Sequence, residues 1–160
     1  MARAQGNGSD RVGADIARRQ ALMGVCARAT EAELADALAR LGELPSAQDL
    51  RAPETGLVMV RGRIGGAGAP FNLGEVTVTR AAVRLANGCT GVSYLLGRSH
   101  RRARLAAMLD ALAQDPAIRV RLEASLMGPV MARVAAEDAG VRADVATTKV
   151  DFFTLVRGEG

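Results

Sequence analysis

The sequence predicts an α+β domain in which helices pack on a mainly antiparallel sheet of about four strands, preceded by an N-terminal helical hairpin. Three observations lead there. Apolar residues recur at helical spacing as far as Leu41, they alternate with a period of two between Leu57 and Leu96, and helical spacing returns after Ser99 before a last alternating run. No internal repeat interrupts this order, so the 160 residues read as a disordered tail over 1–9 and a single domain over 10–160.

The first helix is expected over 9–28, with Ile16, Met23 and Ala27 near one stripe and Gly13 and Gly24 weakening it. Thr30-Glu31-Ala32-Glu33 has the spacing of a capping box, in which the Thr30 hydroxyl accepts from the Glu33 amide while the Glu33 carboxylate reaches back. Leu34, Leu38 and Leu41 follow on one face, and Gly42 and Pro45 close this second helix. Beyond Pro53, residues 57–64 predict a strand and 74–85 another. In the second strand Val76 and Val78 are even whereas Val83 and Leu85 are odd. That parity change predicts a β-bulge near Arg80-Ala81-Ala82 that returns both pairs to one face. Asn87-Gly88 supplies a turn and 92–96 a third strand. Ser99 caps a helix running to about Gln114, with Leu105, Leu109 and Leu112 inward and Pro116 beyond its end. A further helical stretch is expected over 130–138, with Gly128-Pro129 and Gly140 breaking the region, and 150–157 forms the last strand.

The formal charge is +4, and Lys149 is the one lysine among 21 basic residues. Acids are interspersed throughout, and an arginine- and alanine-rich chain follows from a GC-rich genome as readily as from a polyanion partner. Four aromatics, Phe71, Tyr94, Phe152 and Phe153, are too few for a base-stacking surface, so nucleic acid is not the expected partner. A small basic nucleic-acid-binding module remains the alternative. Cys26 and Cys89 stand far apart without a CxxC and read as reduced thiols. The first ten residues contain no apolar signal core, and no apolar run approaches membrane-spanning length. A cytoplasmic protein with no membrane partner is expected.

The glycine-rich stretch from Arg61 to Glu75 raises phosphate binding, because backbone amides of such loops cradle anions. It lacks the Gly-Lys-Ser/Thr ending of a P-loop, and a strand follows it where a dinucleotide fingerprint requires a helix. A wide hairpin loop fits better. Phe71 in that loop either folds back on the core or faces a partner. Arg98, Ser99, Arg101, Arg102 and Arg104 gather at a helix start, where the dipole favours acids. They form either a contact for an anion or an acidic partner, or a solvated arginine-rich face. His100 is the sole histidine, and neither Glu75 nor Asp110 has an evident sequence partner to tune it. No catalytic, cofactor or metal residue is assigned. At 150–157 apolar side chains occupy both parities, including Phe152, Phe153 and Leu155. One helical layer covers only one sheet face, so these residues are candidate partner contacts.

Several unlike segments together resemble one family. Glu54-Thr55-Gly56-Leu57-Val58, Arg63-Ile64-Gly65-Gly66-Ala67-Gly68, Phe71-Asn72-Leu73-Gly74-Glu75, Thr79-Arg80-Ala81-Ala82-Val83-Arg84-Leu85 and Tyr94-Leu95-Leu96-Gly97-Arg98 are similar to the central signature of the PhnG family. These are the G subunits of the bacterial carbon–phosphorus lyase system. Arg19-Gln20-Ala21-Leu22-Met23-Gly24-Val25, Asp110-Ala111-Leu112 and the ending from Lys149 to Glu159 resemble its other blocks, although the arginine run after Arg98 is richer than the family pattern. The resemblance implies phosphonate catabolism in a core complex with H, I and J subunits, and a functional link to the K and L subunits. The I subunit, a nucleosidase supported by G, H and L, displaces adenine from ATP with an alkylphosphonate to give a ribose 1-phosphonate 5-triphosphate. The iron–sulfur cluster and S-adenosylmethionine belong to the J subunit, so the resemblance implies no cofactor for this chain.

Overall fold

Between Gly6 and Thr147, helix-forming residues stand at both ends and strand-forming residues fill the middle. A computed structural model describes residues 6–147. In order these form α1 (Gly6–Arg28), α2 (Glu31–Leu41), β1 (Ala47–Arg63), β2 (Pro70–Leu85), β3 (Thr90–Leu96), α3 (His100–Leu112), α4 (Pro116–Leu122) and α5 (Gly128–Thr147). A 3-10 turn, Ile64–Gly66, joins β1 to β2, and a π-helical turn, Glu123–Met127, joins α4 to α5. The α+β class is the expected one. Among the described residues the sheet has three strands in the order β1-β2-β3, antiparallel throughout. The strand expected over 150–157 lies outside the described residues, so the expected number of four is not reached among them.

The two N-terminal helices follow one another as expected, but not as a hairpin packed chiefly on itself. Only Ala29 and the cap Thr30 separate them, so α1 rests on α3, α5 and β3 while α2 rests on α3. The buried stripe of α1 is Leu22, Val25 and Cys26, continued by Ala29. Ile16, expected on the stripe, is 53% exposed because it precedes the part of α1 that reaches the core. The capping box is present: the Glu33 amide donates to Thr30 Oγ1 at 3.2 Å, and the Thr30 amide donates to the Glu33 carboxylate at 2.7 Å. Leu34, Leu38 and Leu41 are buried, as their spacing requires.

β1 and β2 both extend further than the period-two runs. β1 begins at Ala47, and Pro53 lies inside it. An edge strand tolerates that proline because register shifts between Asp49 and Arg51, and again between Arg51 and Glu54, relieve the ladder there. The bulge expected in β2 near Arg80-Ala81-Ala82 is therefore on the opposing strand. β2 pairs with β3 without a shift from Val78↔Leu96 to Arg84↔Thr90. Its two valine sets consequently do not share a face: Ala81, Val83 and Leu85 point toward the helices and Val76 and Val78 away from them.

The core lies between the sheet and α3. Ala103, Ala106, Ala107 and Ala111 keep the α3 surface low, which lets helix and strand approach closely. At Gly91 an added Cβ would stand 2.0 Å from the Ala107 carbonyl oxygen and 2.4 Å from the Ala111 nitrogen. Asp115 caps α4, and Pro116 takes its first position, where no amide is needed. Gly128-Pro129 lies where the π-helical turn passes without a break into α5, and α5 continues to Thr147 through Gly140 instead of being broken there.

Candidate functional site

Side-chain alternation divides the sheet into two unlike faces. Toward the helices point Thr79, Ala81 and Val83 of β2 with their β3 partners Leu95, Ser93 and Gly91, all buried. The opposite face carries the β3 residues Val92, Tyr94 and Leu96, which are 40%, 52% and 66% exposed. Across β2, Val78 and Val76 pair with Gly56 and Val58 on that same face, but Val78 is buried and Val76 and Val58 are half-buried, so the exposure is concentrated on β3. The face continues along the β1–β2 hairpin, which runs past the end of β3 as a two-stranded ribbon. A Cβ at Gly62 would meet the Phe71 ring at 3.4 Å and Leu73 at 3.9 Å, so both side chains lie on Gly62's side. Phe71 is thus neither a core residue nor fully free. It packs over a glycine at the ribbon end and stays 40% exposed. The glycine loop is a hairpin connection, with Gly65 and Gly66 at positive φ as the tight turn requires.

β3 is an edge strand, and helix side chains close part of its edge. Asp110, buried to 2%, accepts from the Val92 amide at 2.8 Å and from Arg19 Nε and Nη2 at 2.8 Å each. This bidentate bond raises the pKa of Arg19, with the Asp110 charge adding to it and burial opposing it. The Thr90 carbonyl accepts from Gln114 at 2.7 Å and more distantly from Arg19. The Leu96 carbonyl accepts from Arg102 at 3.5 Å. Asp110 has a partner after all, 91 residues away in sequence, where spacing could not find it.

The basic helix start is less free than its sequence suggests. Ser99 caps α3, accepting from the Arg102 amide at 3.1 Å, and donates to Glu31 at 2.9 Å. Arg101 pairs with Glu31 at 3.1 Å, Arg104 with Asp49 at 2.8 Å, and Arg102 donates to the Ala27 carbonyl. The acid that α3 lacks in its own first turn is supplied by α2. Arg98 has no ion-pair or hydrogen-bond partner among the described residues. Phe152, Phe153 and Leu155 lie outside the described residues.

His100 is engaged in a bonded chain. Thr79 donates to the Gly97 carbonyl at 2.7 Å, so its hydroxyl proton is used. Thr55, 3.2 Å away, then donates to Thr79 and accepts from His100 Nε2 at 2.9 Å. A histidine donating to Thr55 is not acting as its base, and the chain instead ties the sheet to the start of α3. Burial pushes the Cys26 thiol up to about 12, which keeps it protonated and unreactive. Among the described residues no group of three or more His, Cys, Asp or Glu could hold a metal ion. A groove of about 400 Å³ lies between α1 and α5, lined mainly by apolar side chains such as Val25, Val130 and Val134.

Fold and site together define a small α+β protein whose helices cover one face of the three-stranded part of its sheet, while among the described residues the other face and the projecting hairpin keep exposed apolar side chains. Comparison with known proteins narrows that class. The family described as phosphonate metabolism protein PhnG matches residues 17–158. A Rhizobium meliloti (strain 1021) protein, alpha-D-ribose 1-methylphosphonate 5-triphosphate synthase subunit PhnG, is 53% identical over 146 residues, covering 91% of this chain and 93% of that protein. The chain belongs to the PhnG family.

Proposed function

We propose that this chain is a non-catalytic subunit of a ribose 1-phosphonate 5-triphosphate synthase in phosphonate catabolism. The observation that carries the reading is the 53% identity, over nearly the whole of both chains, to a protein named as a subunit of that synthase. In this reading the chain joins H, I and J subunits in a carbon–phosphorus lyase core complex, linked functionally to K and L. It supports the I subunit as an alkylphosphonate replaces adenine on ATP. ATP is then a substrate of the complex, and the iron–sulfur cluster and S-adenosylmethionine belong to another subunit. We further propose one domain over 10–160, acting in the cytoplasm; no helix among the described residues is long and apolar enough to cross a membrane. Phe71, Phe152, Phe153 and Leu155 are the proposed apolar partner contacts, and Arg98, Ser99, Arg101, Arg102 and Arg104 are the proposed contacts for an anion or an acidic partner, Arg98 being the arginine among them without an internal partner among the described residues.

Adenine release tests this. The purified chain incubated with ATP and methylphosphonate stays at background, and adding it to the other subunits raises release. Robust release by the chain alone, or full release without it, overturns the reading.

A further inference from the structure

Among the described residues no element packs on the exposed β3 side of the sheet, which has the composition of a surface awaiting a cover. Val58, Val76, Val92, Tyr94 and Leu96 share it with Phe71 and Leu73 at the ribbon end. A two-stranded ribbon is marginal in water unless something packs on it, and this one carries Leu73 at 66% exposure, matched by Leu96 at the end of β3.

How a partner engages is limited by the edges. Strand addition at β3 would have to displace Asp110 from the Val92 amide and Gln114 from the Thr90 carbonyl. β1 is bulged and carries Asp49, Arg51 and Glu54, a pattern that resists pairing. Docking is therefore onto the face.

The rim states the partner's charge. Arg80 and Arg84 lie on the open side of β2, opposite Tyr94 and Thr90, and Arg98 follows just beyond Leu96. Arg80 is paired with Glu54, at 2.6 Å, whereas Arg84 and Arg98 have no ion-pair partner among the described residues. Two copies of this chain placed face to face would bring both arginine sets into one interface with little acid to offset them. We infer that the open face docks a different protein subunit, through an apolar centre framed by carboxylates that meet Arg84 and Arg98. This rests on the subunit reading above and adds where, how and with what chemistry the subunit is held.

The experiment co-expresses the tagged chain with the H, I and J subunits and measures the partner retained at fixed salt. Leu96→Glu and, on the ribbon, Leu73→Glu each lower retention about tenfold or more, because a carboxylate is buried among apolar groups. The helix-side control Val120→Glu, at a residue 64% exposed, assembles like the wild type. Arg84→Glu with Arg98→Glu weakens retention, and the loss shrinks as salt rises. Matching melting midpoints of the isolated variants show that folding is intact. Wild-type retention by both Leu96→Glu and Leu73→Glu overturns the docking face while leaving the subunit reading standing. Failure of the wild-type chain itself to retain any subunit overturns the subunit reading. A wild-type homodimer split by Leu96→Glu assigns the face to a second copy and overturns the proposal of a different partner.

Discussion

The two faces of β3 alternate residue by residue along one strand, yet their surroundings differ completely. Gly91, Ser93 and Leu95 are buried on the helix side, where Gly91 meets α3 at backbone distance and Ser93 donates to the Ala103 carbonyl at 2.7 Å. Val92, Tyr94 and Leu96 meet no element among the described residues that covers them to a comparable degree. A strand apolar on both sides is designed for two neighbours. The chain itself supplies the first, through a small-residue helix that tolerates no added volume.

The sharpest way to break this contrast is to add one carbon on the closed side. Gly91→Ala places a methyl against α3 backbone, which cannot rotate away, so destabilisation of at least ~3 kcal/mol is expected, the upper end for overpacking. Urea unfolding measures it, and a change below ~1 kcal/mol would mean that α3 yields. Asp110→Ala is next. It strands the Val92 amide and releases Arg19, which is 42% exposed and partly rehydrated, for a loss of ~2 kcal/mol. Among the basic residues the internal contacts predict inequality. Arg102→Gln, which loses contacts to two carbonyls, costs ~1 kcal/mol, while Arg101→Gln, 73% exposed, stays within ~0.5 kcal/mol. Equal melts would return all of these arginines to a solvated face. Tyr94→Ala on the open side changes the isolated chain least, within ~0.5 kcal/mol, and its effect appears in assembly.

A smaller effect lies at the seam between α2 and α5. Arg133 bonds Glu33 through both carboxylate oxygens, at 2.8 and 3.0 Å, and also reaches the Arg28 carbonyl. The bond to Arg133 holds the Glu33 carboxyl down at about 2, with the Thr30 cap contributing. Its folded pKa lies below the unfolded value near ~4.3, so the native state binds fewer protons between them. The contribution is complete above the unfolded pKa and is lost as pH falls toward 2. Glu33→Gln should therefore flatten the acid limb of a stability profile, and an unchanged limb would show that solvent screens the pair.

Local chemistry was legible in the sequence and long-range chemistry was not. Thr30 with Glu33, Ser99, and the turn at Asn87-Gly88 are settled by residues within a few positions of each other, and all three stand where spacing put them. The start of β1 was hidden because Pro53 argues against a strand, and two register shifts remove the objection only once β2 is beside it. The π-helical turn and the long run of α5 were hidden by Gly128-Pro129 and Gly140, read as breaks but held inside helix. The site was half visible. That one helical layer leaves a face bare was an argument from class, but it was attached to Phe152 and Phe153. Val92, Tyr94 and Leu96 carry the same signature beside Leu95, apolar at both parities, and a parity test on 92–96 would have found them.

The Arg133 tie has a consequence for hydrogen exchange. It clamps α5 near its start, where Val130 is the helix's buried residue, whereas every side chain from Ala135 to Thr147 is exposed. A helix of 20 residues gains most of its stability from packing, so opening should begin in the exposed stretch past Ala135 and run toward Val130. Amides near Val134 should then exchange at the rate of the core, those past Gly140 close to the intrinsic rate, and the boundary between them should retreat toward Val130 when Glu33 is neutralised.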